Sequence, residues 1–455
     1  MTQYQKMTET PVPKLILTLS VPTIISMMVT NIYNLVDTAF VGKLGTSASG
    51  AVGIVFGFMA VIQAFGFMFG QGSGSIVSRL LGKCDKENAS LNASAGFFAS
   101  FFCGLLVTVF GYIFLDDIVY FLGSTDTIAP YAKTYISYVL AAAPFMSSSF
   151  TLNNILRYEG KASLGMVGML AGAVLNMAGD PIFMFAMNMG ISGAGLSTAL
   201  SQFISWLLLI GVFVTGRSDT VISIKNLRAG TVMRLLNIIG TGFPSMLRQG
   251  LNSLTTILLN SRCAEYGDAA VAAMSIVTRI IFFSFSIALG VGQGFQPVAG
   301  FNFGAGKYSR LKKAFYFAGA VAEGIVFIGF IVLTALSGDL ICIFRDDPDV
   351  VAVGTRALRL QAAAQMVLPP CMMVEMLYQC TGKKLGASVL SSLRSGLLFI
   401  PCLLLLSHFR GLSGIQEAQP AALLFSLPVT LPFALHFFRN LPQENNSDPG
   451  IMTDK

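Results

Sequence analysis

Long apolar stretches separated by short polar segments run along the whole chain. A helix needs about 20 mostly apolar residues to cross the hydrocarbon core of a bilayer. Twelve stretches meet this need: 15–39, 47–77, 91–115, 131–156, 163–187, 191–215, 235–260, 269–300, 313–336, 356–380, 387–407 and 414–438. In lipid the backbone must satisfy its own hydrogen bonds, and stretches this long suit helices better than the ~10-residue alternating strands of a barrel. The pattern predicts an all-α integral membrane protein with twelve transmembrane helices.

The composition agrees with this pattern. The chain has 455 residues, of which 54% are hydrophobic and 11% charged, and its mean hydropathy is +0.70. A soluble domain carries about 25% charged residues. The lipid bilayer is therefore the expected surrounding of this chain, and the twelve stretches leave no room for a sizeable soluble domain.

The basic residues lie between the apolar stretches, although the formal net charge is +7. They are not clustered among exposed aromatic residues, which argues against nucleic acid as a partner. With the N-terminus placed inside, 20 of the 29 basic residues, Arg157 and Arg394 among them, fall in inner loops, seven in outer loops, and Arg248 and Arg279 within stretches. Because cytoplasmic loops carry an excess of Lys and Arg, we predict a multi-pass protein of the cytoplasmic membrane with both termini cytoplasmic.

Several residues recur at a constant spacing of 222 positions. The matching positions are Pro22 and Pro244, Gly45 and Gly267, Gln71-Gly72 and Gln293-Gly294, Gly82 and Gly304, and Gly160-Lys161 and Gly382-Lys383. This repetition predicts two homologous six-helix bundles, 1–222 and 223–455, with a basic cytoplasmic linker at about 217–234. Six crossings return the chain to the same side, so the bundles are parallel repeats related by a pseudo-twofold axis along the membrane normal, which is typical of transporters.

Two acids interrupt apolar stretches of the first half and have no counterpart in the second half. Asp37 lies in the first stretch and Asp180 in the fifth, and the equivalent positions hold Leu259 and Cys402. A charge at the bilayer centre costs at least about 2.5–3.5 kcal/mol on insertion scales. We therefore expect these acids to be functional. The alternative for either acid is that it caps a helix or faces an outer vestibule.

Neutral polar residues accompany both acids. Asn176 precedes Asp180 by four residues and Asn34 precedes Asp37 by three, so each pair shares a helix face. With the hydroxyl of Thr198 in the sixth stretch, they offer only oxygen ligands, which suit a hard cation such as Na⁺. Two desolvated carboxylates are equally suited to exchange a proton. The residues predict a cation or proton coupling site without distinguishing H⁺ from Na⁺.

The second half carries a different polar set within its stretches, namely Glu375, Arg248, Gln249 and Asn252. One interpretation is a second site for an ion or a cationic substrate. The other is a buried ion pair, in which Glu375 meets Arg248 or Arg279 across the bundle. Both remain open at the level of the sequence.

Pro22 lies in the first stretch, fifteen residues before Asp37. A proline inside a helix removes a backbone hydrogen bond and favours a kink. We expect the first helix to bend at this position. Pro244 occupies the same place in the second half, which is equally consistent with a static structural kink.

The residues needed for metal or enzyme chemistry are sparse. Seven cysteines are scattered without a CxxC pair, and the two histidines, His408 and His436, lie near the C-terminus. Neither set has the spacing of a metal site or of a known catalytic motif. We expect no disulfide framework, no cofactor apart from the coupling ion, and no enzymatic activity.

Several segments resemble one transporter family in the same order along the chain. They are Pro22 followed by Tyr33 to Gly45, Gly70-Gln71-Gly72, Asn153 to Lys161, Asn176 to Pro181, Gly292 to Pro297 and Asn302 to Gly306. Together they resemble the multidrug and toxic compound extrusion (MATE) family over about 15–438 of the chain.

This resemblance implies a twelve-helix exporter of two six-helix lobes that moves organic cations outward in exchange for H⁺ or Na⁺. Asp37, Asn176, Asp180 and Thr198 fall on the family's N-lobe ion-site positions, and Pro22 falls on the proline proposed to bend the first helix. Glu375 lies about one turn from the acid that other branches use.

The implied mechanism is alternating access by rocking of the lobes, in a protein we expect to be monomeric. An ion at Asp37 and Asp180 would favour a bent first helix, and a cationic or amphipathic drug would compete for the same negative cavity. The alternative is a flippase for a lipid-linked saccharide or another amphipathic lipid precursor. A flippase of this kind requires a basic central cavity, for which the sequence suggests only Arg248 and Arg279.

Overall fold

The computed structural model describes residues 2–227 and 230–442, and these residues form helices and no strand. Arg228 and Lys455, both counted with the inner loops, lie outside the described residues. Part of the linker expected at 217–234 does so as well. The division of the chain at 222/223 stays a prediction.

Twelve helical rods cross the molecule. In the first half they are α1 Val12–Gly42, α2 Thr46–Gly82, α3 Lys86–Ile113, α4 Ala129–Tyr158, α5 Ala162–Pro181 with a π-helical end Ile182–Ala186, and α6 Ile191–Val214. In the second half α7 is Thr231–Ala264, α8 Asp268–Gly304, α9 Tyr308–Ala335, and α10 Pro348–Ala364 continued by Gln365–Val367 and Leu368–Cys380. The segments Lys384–Ser392, Leu393–Leu397 and Phe399–Arg439 form α11 and α12, which meet at a non-helical break at Gly411.

The prediction of twelve transmembrane helices is confirmed, and the helices extend a few residues beyond the apolar stretches. Among the described residues, nine helices are long and apolar enough to cross a membrane by composition, with α11 and α12 counted as one. The rods α4 and α7 do not reach that apolarity. They carry polar residues such as Asn153, Asn154, Arg248 and Gln249. These two helices therefore need a polar interior to face.

The helices α1–α6 pack as one six-helix bundle, and α7–α12 pack as the other. The two lobes meet where α2 packs on α7, and where α8 packs on α1 and α2. We call the side on which α1 begins and α12 ends the terminal face, and the opposite side the distal face. A short helix, Gln3–Glu9, lies on the terminal face, where Gln3 Nε2 donates to the carbonyl of Glu159 at 2.5 Å.

Two arginines that the sequence analysis placed in loops lie inside helices. Arg157, near the end of α4, is 3% exposed, and Arg394 lies in the π-helical turn of α11 with 13% of its side chain exposed. That assignment was wrong for two reasons. The helix that contains Arg157 continues to Tyr158, beyond the apolar stretch 131–156. Arg394 lies within the stretch 387–407 itself, at a π-helical turn of the helix.

Candidate functional site: a buried carboxylate pair beside a central cavity

The chain around Asp180 folds in an unusual way. The α-helical hydrogen-bonding pattern of α5 ends at Pro181, and five residues of π-helix follow. Proline has no N–H to continue the α-helical ladder, and π-helical turns within helices occur frequently at functional sites. Asp180 therefore occupies the last α-helical turn before this irregularity.

Asp37 and Asp180 face each other inside the N-terminal lobe. Asp37 of α1 is 3% exposed, Asp180 of α5 is fully buried, and their carboxyl groups lie within hydrogen-bonding range. One oxygen of each carboxyl group, Oδ1 of Asp37 and Oδ2 of Asp180, has no hydrogen-bond donor among the described residues. Two neighbouring buried carboxylates repel each other unless a proton or a cation lies between them.

Asn176 links this pair to α6. Its Nδ2 donates to Asp180 Oδ1 at 3.4 Å, to Thr198 Oγ1 at 3.3 Å and to Ser197 Oγ at 3.5 Å. The helices approach closely here because Gly179 leaves room for Ser197, whose Oγ would lie 2.6 Å from a Cβ at that position. Asn176 Oδ1 has no partner among the described residues, which adds a third free oxygen acceptor.

The donor set contains only oxygen atoms of carboxyl, amide and hydroxyl groups. This chemistry suits a proton or a hard cation such as Na⁺ and does not suit a soft metal ion. Within residues 2–227 and 230–442, no group of three or more His, Cys, Asp or Glu side chains is arranged to hold a metal ion. The structure thus brings Asp37, Asn176, Asp180 and Thr198 together, while their role in coupling stays a prediction.

Three further residues border the carboxylates and were not singled out from the sequence. Ser197 accepts from Asn176, and Tyr135 Oη lies 3.5 Å from Thr198 Oγ1. Tyr33 of α1 lies close enough to Asp37 and Asp180 to interact electrostatically with both. Serine and tyrosine are common in transmembrane helices, so their residue types alone do not indicate a position next to an ion site. Only adjacency to Thr198 would have pointed to Ser197.

Asn34 has a different environment from the one expected. It lines the cavity between the lobes, and within the described part of the chain no side-chain hydrogen bond joins it to Asp37 or Asp180. Although Asn34 and Asp37 are three residues apart, their side chains diverge enough for Asn34 to face the cavity. Asn34 is thus a residue of the cavity wall.

Pro22 is buried within α1, which remains one continuous helix from Val12 to Gly42. Hydroxyl groups along this helix donate to carbonyls four residues earlier, including Ser26 to Pro22 at 2.9 Å and Thr30 to Ser26 at 2.8 Å. Such back-bonding frequently bends helices. The segment between Pro22 and Asp37 therefore contains features that favour bending of the helix. The expected hinge at Pro22 stays a prediction.

A central cavity of about 200 Å³ lies between the lobes. Its walls come from α1, α2, α4, α5, α7 and α8, and they combine four phenylalanine rings with asparagine and glutamine amides. The charged side chains lining it are Arg157 and Arg248, and its described lining contains no Asp or Glu. The expectation of a negative drug cavity is wrong for this cavity, because Asp37 and Asp180 are enclosed within the N-terminal lobe instead.

Glu375 of α10 is held by two arginines. Arg248 Nη1 lies 2.6 Å from Glu375 Oε1, and Arg394 Nη2 lies 3.8 Å from Oε2. Glu375 is 1% exposed and lines neither the central cavity nor the cavity described next. The ion-pair interpretation therefore fits its position, with Arg248 as partner. Arg279 is exposed on α8 and takes no part.

A second cavity of about 330 Å³ opens in the C-terminal lobe. Gln249 and Asn252 line both this cavity and the central one, so the two are neighbours. Arg394 is its charged lining residue among the described residues. The sequence-based expectation that Gln249 and Asn252 face a substrate path agrees with this location, although no ligand tests it.

A glutamine network separates the central cavity from the terminal face. Gln296 Nε2 donates to Gln71 Oε1 and to Gln379 Oε1, each at 3.3 Å, and so joins the lobes. Gln379 in turn donates to Ser245 Oγ at 2.7 Å and to the Thr241 carbonyl at 3.4 Å. Ser245 lines the central cavity and Thr241 lines a cleft of about 840 Å³ on the terminal face. The network therefore contacts residues that line both spaces.

The sequence model of the MatE family matches residues 22–182 and 244–405 of the chain. The chain belongs to the MatE family. This MatE protein is 27% identical over 409 residues to the multidrug export protein MepA of Staphylococcus haemolyticus, with 90% of each chain covered. It is 28% identical over 409 residues to MepA of Staphylococcus aureus MSSA476, again with 90% of each covered.

A solved structure supports the same assignment for this MatE protein. It is described as the outward-facing conformation of a multidrug resistance MATE family transporter of the MOP superfamily. It superposes with a TM-score of 0.91 at 25% identity and covers 96% of this chain and 98% of the other. The MatE protein is thus a multi-pass membrane transporter and not an enzyme.

Proposed function

We propose that this MatE protein exports amphipathic organic cations, drugs among them, in exchange for inward H⁺ or Na⁺. The observation that carries the proposal is the position of Asp37. It belongs to a buried carboxylate pair with free acceptor oxygens, and it lies on α1, the helix that also lines the central cavity through Ser26, Thr30 and Asn34. One helix therefore contacts both the ion site and the substrate space.

The coupling acts through α1. A proton or Na⁺ between Asp37 and Asp180 removes their mutual repulsion and draws α1 towards α5. Pro22 removes a backbone hydrogen bond from α1, and the hydroxyl groups of Ser26 and Thr30 donate to carbonyls of the same helix, which favours bending. The helix α1 then bends and narrows the central cavity. Binding of the ion and binding of the drug oppose each other, and a coupling free energy of about 1–3 kcal/mol is typical of such linked sites.

The substrate class follows from the cavity walls and from the relatives. Phe67, Phe150, Phe282 and Phe285 line the central cavity, and aromatic faces accept both apolar rings and organic cations. The two MepA relatives bear the name multidrug export protein. We place the transporter in the cytoplasmic membrane as a monomer. Both termini are cytoplasmic in this proposal, because basic residues dominate the loops on the terminal face.

The test is ethidium efflux from proteoliposomes under a proton gradient or a sodium gradient, each imposed alone. Wild type is compared with Asp37→Asn and with Asp117→Asn, which alters an exposed acid. We expect one gradient to drive efflux, Asp37→Asn to abolish it and Asp117→Asn to retain it. Folded protein that exports nothing under either gradient would contradict the proposal.

A second candidate function is transport of an amphipathic lipid precursor. The observation favouring it is that Arg157 and Arg248, and no acid among the described residues, line the central cavity. Guanidinium groups bind phosphate oxygens well. Scrambling of a fluorescent anionic lipid by the reconstituted protein, with no ethidium efflux, would favour this alternative.

A further inference from the structure

Arg157 is a buried cation without a counter-ion among residues 2–227 and 230–442. It is 3% exposed and lines the central cavity. Its Nη2 donates to Asn154 Oδ1 at 2.5 Å, while Nε and Nη1 have no hydrogen-bond partner in the described part of the protein. A buried charged group with unmade hydrogen bonds is costly. Nε and Nη1 of Arg157 are therefore available to donate hydrogen bonds to a ligand in the cavity.

The charges around Arg157 do not balance. Arg157 is close enough to Arg248 for the two guanidinium charges to repel each other, and Arg248 and Arg394 share Glu375. Arg157, Arg248 and Arg394 thus contribute three positive charges against the single negative charge of Glu375, which pairs with Arg248 and Arg394 only. None of the acids in the described residues forms an ion pair with Arg157. Both carboxylate oxygens of Glu375 already pair with Arg248 and Arg394. The positive charge of Arg157 is therefore not neutralised, and Arg157 lines the cavity.

The surroundings of Arg157 fit a small organic anion attached to an aromatic body. Asn153 and Asn154 of the same helix line the cavity with their amides, and Phe150 and Phe67 stand next to them with ring centroids 5.1 Å apart. Nε and Nη1 of Arg157 each have an N–H group free to donate to a carboxylate oxygen, and guanidinium groups bind carboxylates well. A cavity of about 200 Å³ admits one such group with part of its ring system.

We propose that Arg157, supported by Arg248 and Asn154, forms an anion subsite in the central cavity that binds the carboxylate of amphoteric aromatic substrates. The inference rests on the proposed export function and assigns, within it, Arg157 as the residue that recognises a carboxylate on the substrate. The carboxylate binds at Arg157, and the aromatic body lies against the phenylalanine rings.

A matched pair of dyes tests the subsite. Rhodamine 110 carries a free carboxylate, and rhodamine 123 is the same molecule with that group as a methyl ester. Binding of each dye to the purified transporter in nanodiscs is followed by fluorescence anisotropy, and efflux of each dye is followed in proteoliposomes. Ethidium, which has no acidic group, reports on cation export independently of the subsite.

The variants are Arg157→Gln, Arg157→Lys and, as a matched control, Arg279→Gln on an exposed arginine of α8. Hydrogen bonds in which one group is charged are the stronger ones. We expect Arg157→Gln to weaken rhodamine 110 binding at least about tenfold, with partial recovery in Arg157→Lys. Arg279→Gln should bind and export all three dyes as wild type does. In both Arg157 variants, rhodamine 123 and ethidium should lose much less affinity than rhodamine 110.

Several outcomes would overturn the proposal. Equal loss of both rhodamines in Arg157→Gln would assign Arg157 a structural role only, and undiminished rhodamine 110 binding would remove it from recognition. Arg157-dependent scrambling of a fluorescent phosphatidylglycerol, without any rhodamine 110 effect, would reassign the subsite to a lipid phosphate. If ethidium is exported and rhodamine 110 does not bind, this inference fails alone. If ethidium is not exported and rhodamine 110 binds through Arg157, the export function fails alone.

Discussion

Gly82 and Gly304 occupy equivalent positions in the two halves, and each packs directly on the backbone of the helix that carries the other. A Cβ atom on Gly82 would collide with the carbonyl oxygen of Phe301, and one on Gly304 with that of Arg79. Arg79 and Phe301 are themselves 222 residues apart, so the contact is reciprocal, as expected for halves related by a twofold rotation. This crossing of α2 and α8 joins the lobes at the terminal face.

A methyl group at this crossing should open the terminal face. In Gly304→Ala the new Cβ meets backbone that cannot move aside without shifting a helix, because helix interiors are close-packed. We expect faster maleimide labelling of Cys380, which is fully buried and whose carbonyl accepts from Ser75 at 3.2 Å. The measurement uses a protein with Cys380 as its only cysteine.

The matched control is Gly319→Ala, because nothing lies within 4 Å of a Cβ at Gly319 on α9. Alanine there should leave labelling unchanged and should favour the helix slightly. A labelling rate in Gly304→Ala equal to that of wild type would mean that the crossing does not close the terminal face.

Removing one carboxylate from the buried pair should abolish transport without loss of stability. Asp180→Asn, like Asp37→Asn, relieves the repulsion between the two acids. It leaves only one carboxylate, so the site has half of its negative charge with which to bind the ion. We expect a melting temperature at or above that of wild type in detergent, together with absent gradient-driven ethidium efflux. A variant that melts well below wild type and still transports would contradict a coupling role.

Breaking the Glu375 ion pair should instead reduce stability. Glu375→Gln leaves Arg248 and Arg394 without a buried counter-charge, and loss of one partner from a buried pair costs about 3–5 kcal/mol. The exposed pair Arg262–Glu265 offers a control, since Glu265→Gln should cost at most about 1 kcal/mol. Thermal melting of both variants checks this, and Arg248→Met combined with Glu375→Met should recover part of the loss. Lost transport at unchanged stability would support the ion or substrate interpretation of Glu375.

Glu159 should make stability depend on pH. It follows α4 at the terminal face, outside the spanning helices, and its carboxylate accepts from Ser218, Asp219 and Thr220. Burial raises the pKa of Glu159, and these hydrogen bonds only partly offset that effect. The folded state therefore holds the proton more tightly than the unfolded chain, in which the pKa is about 4.3.

The sign follows from linkage. The stabilisation due to Glu159 is complete below about pH 4.3 and is lost as pH rises through the higher pKa of the folded state. We expect the melting temperature of wild type, relative to Glu159→Gln, to fall as pH rises over this window. A relative melting temperature that rises with pH would show that the hydrogen bonds outweigh burial.

Two native cysteines report the orientation in the membrane. Cys84 is exposed between α2 and α3 on the terminal face, and Cys342 is exposed in the connection from α9 to α10 on the distal face. With both termini cytoplasmic, a membrane-impermeant maleimide added to intact cells should label a protein that retains only Cys342. A protein that retains only Cys84 should be labelled after permeabilisation. The reverse pattern would invert the topology.

The ion-site residues were largely predictable because of their residue types. Asp37 and Asp180 stand out in apolar stretches, and Asn176 follows from its i, i+4 spacing to Asp180. Thr198 lies on another helix, α6, so no helix spacing relates it to Asp180. Ser197 and Tyr135 did not stand out, since a hydroxyl group in a transmembrane helix is ordinary. Arg157 was assigned to a loop because it follows the end of an apolar stretch, and Arg394 was assigned to a loop although it lies inside one. Only the structure reveals that both side chains are largely buried inside helices.

The sequence by itself determined the helix count, the family and the presence of acids in the membrane. It does so because the bilayer constrains each segment separately: every crossing must be long, apolar and internally hydrogen-bonded. Only the tertiary structure decided which charged groups meet, so that Asp37 faces Asp180, Glu375 is held by Arg248 and Arg394, and Arg157 faces a cavity without a counter-ion. Those partners lie on helices far apart in sequence, and a small rotation of one helix about its axis is enough to exchange them.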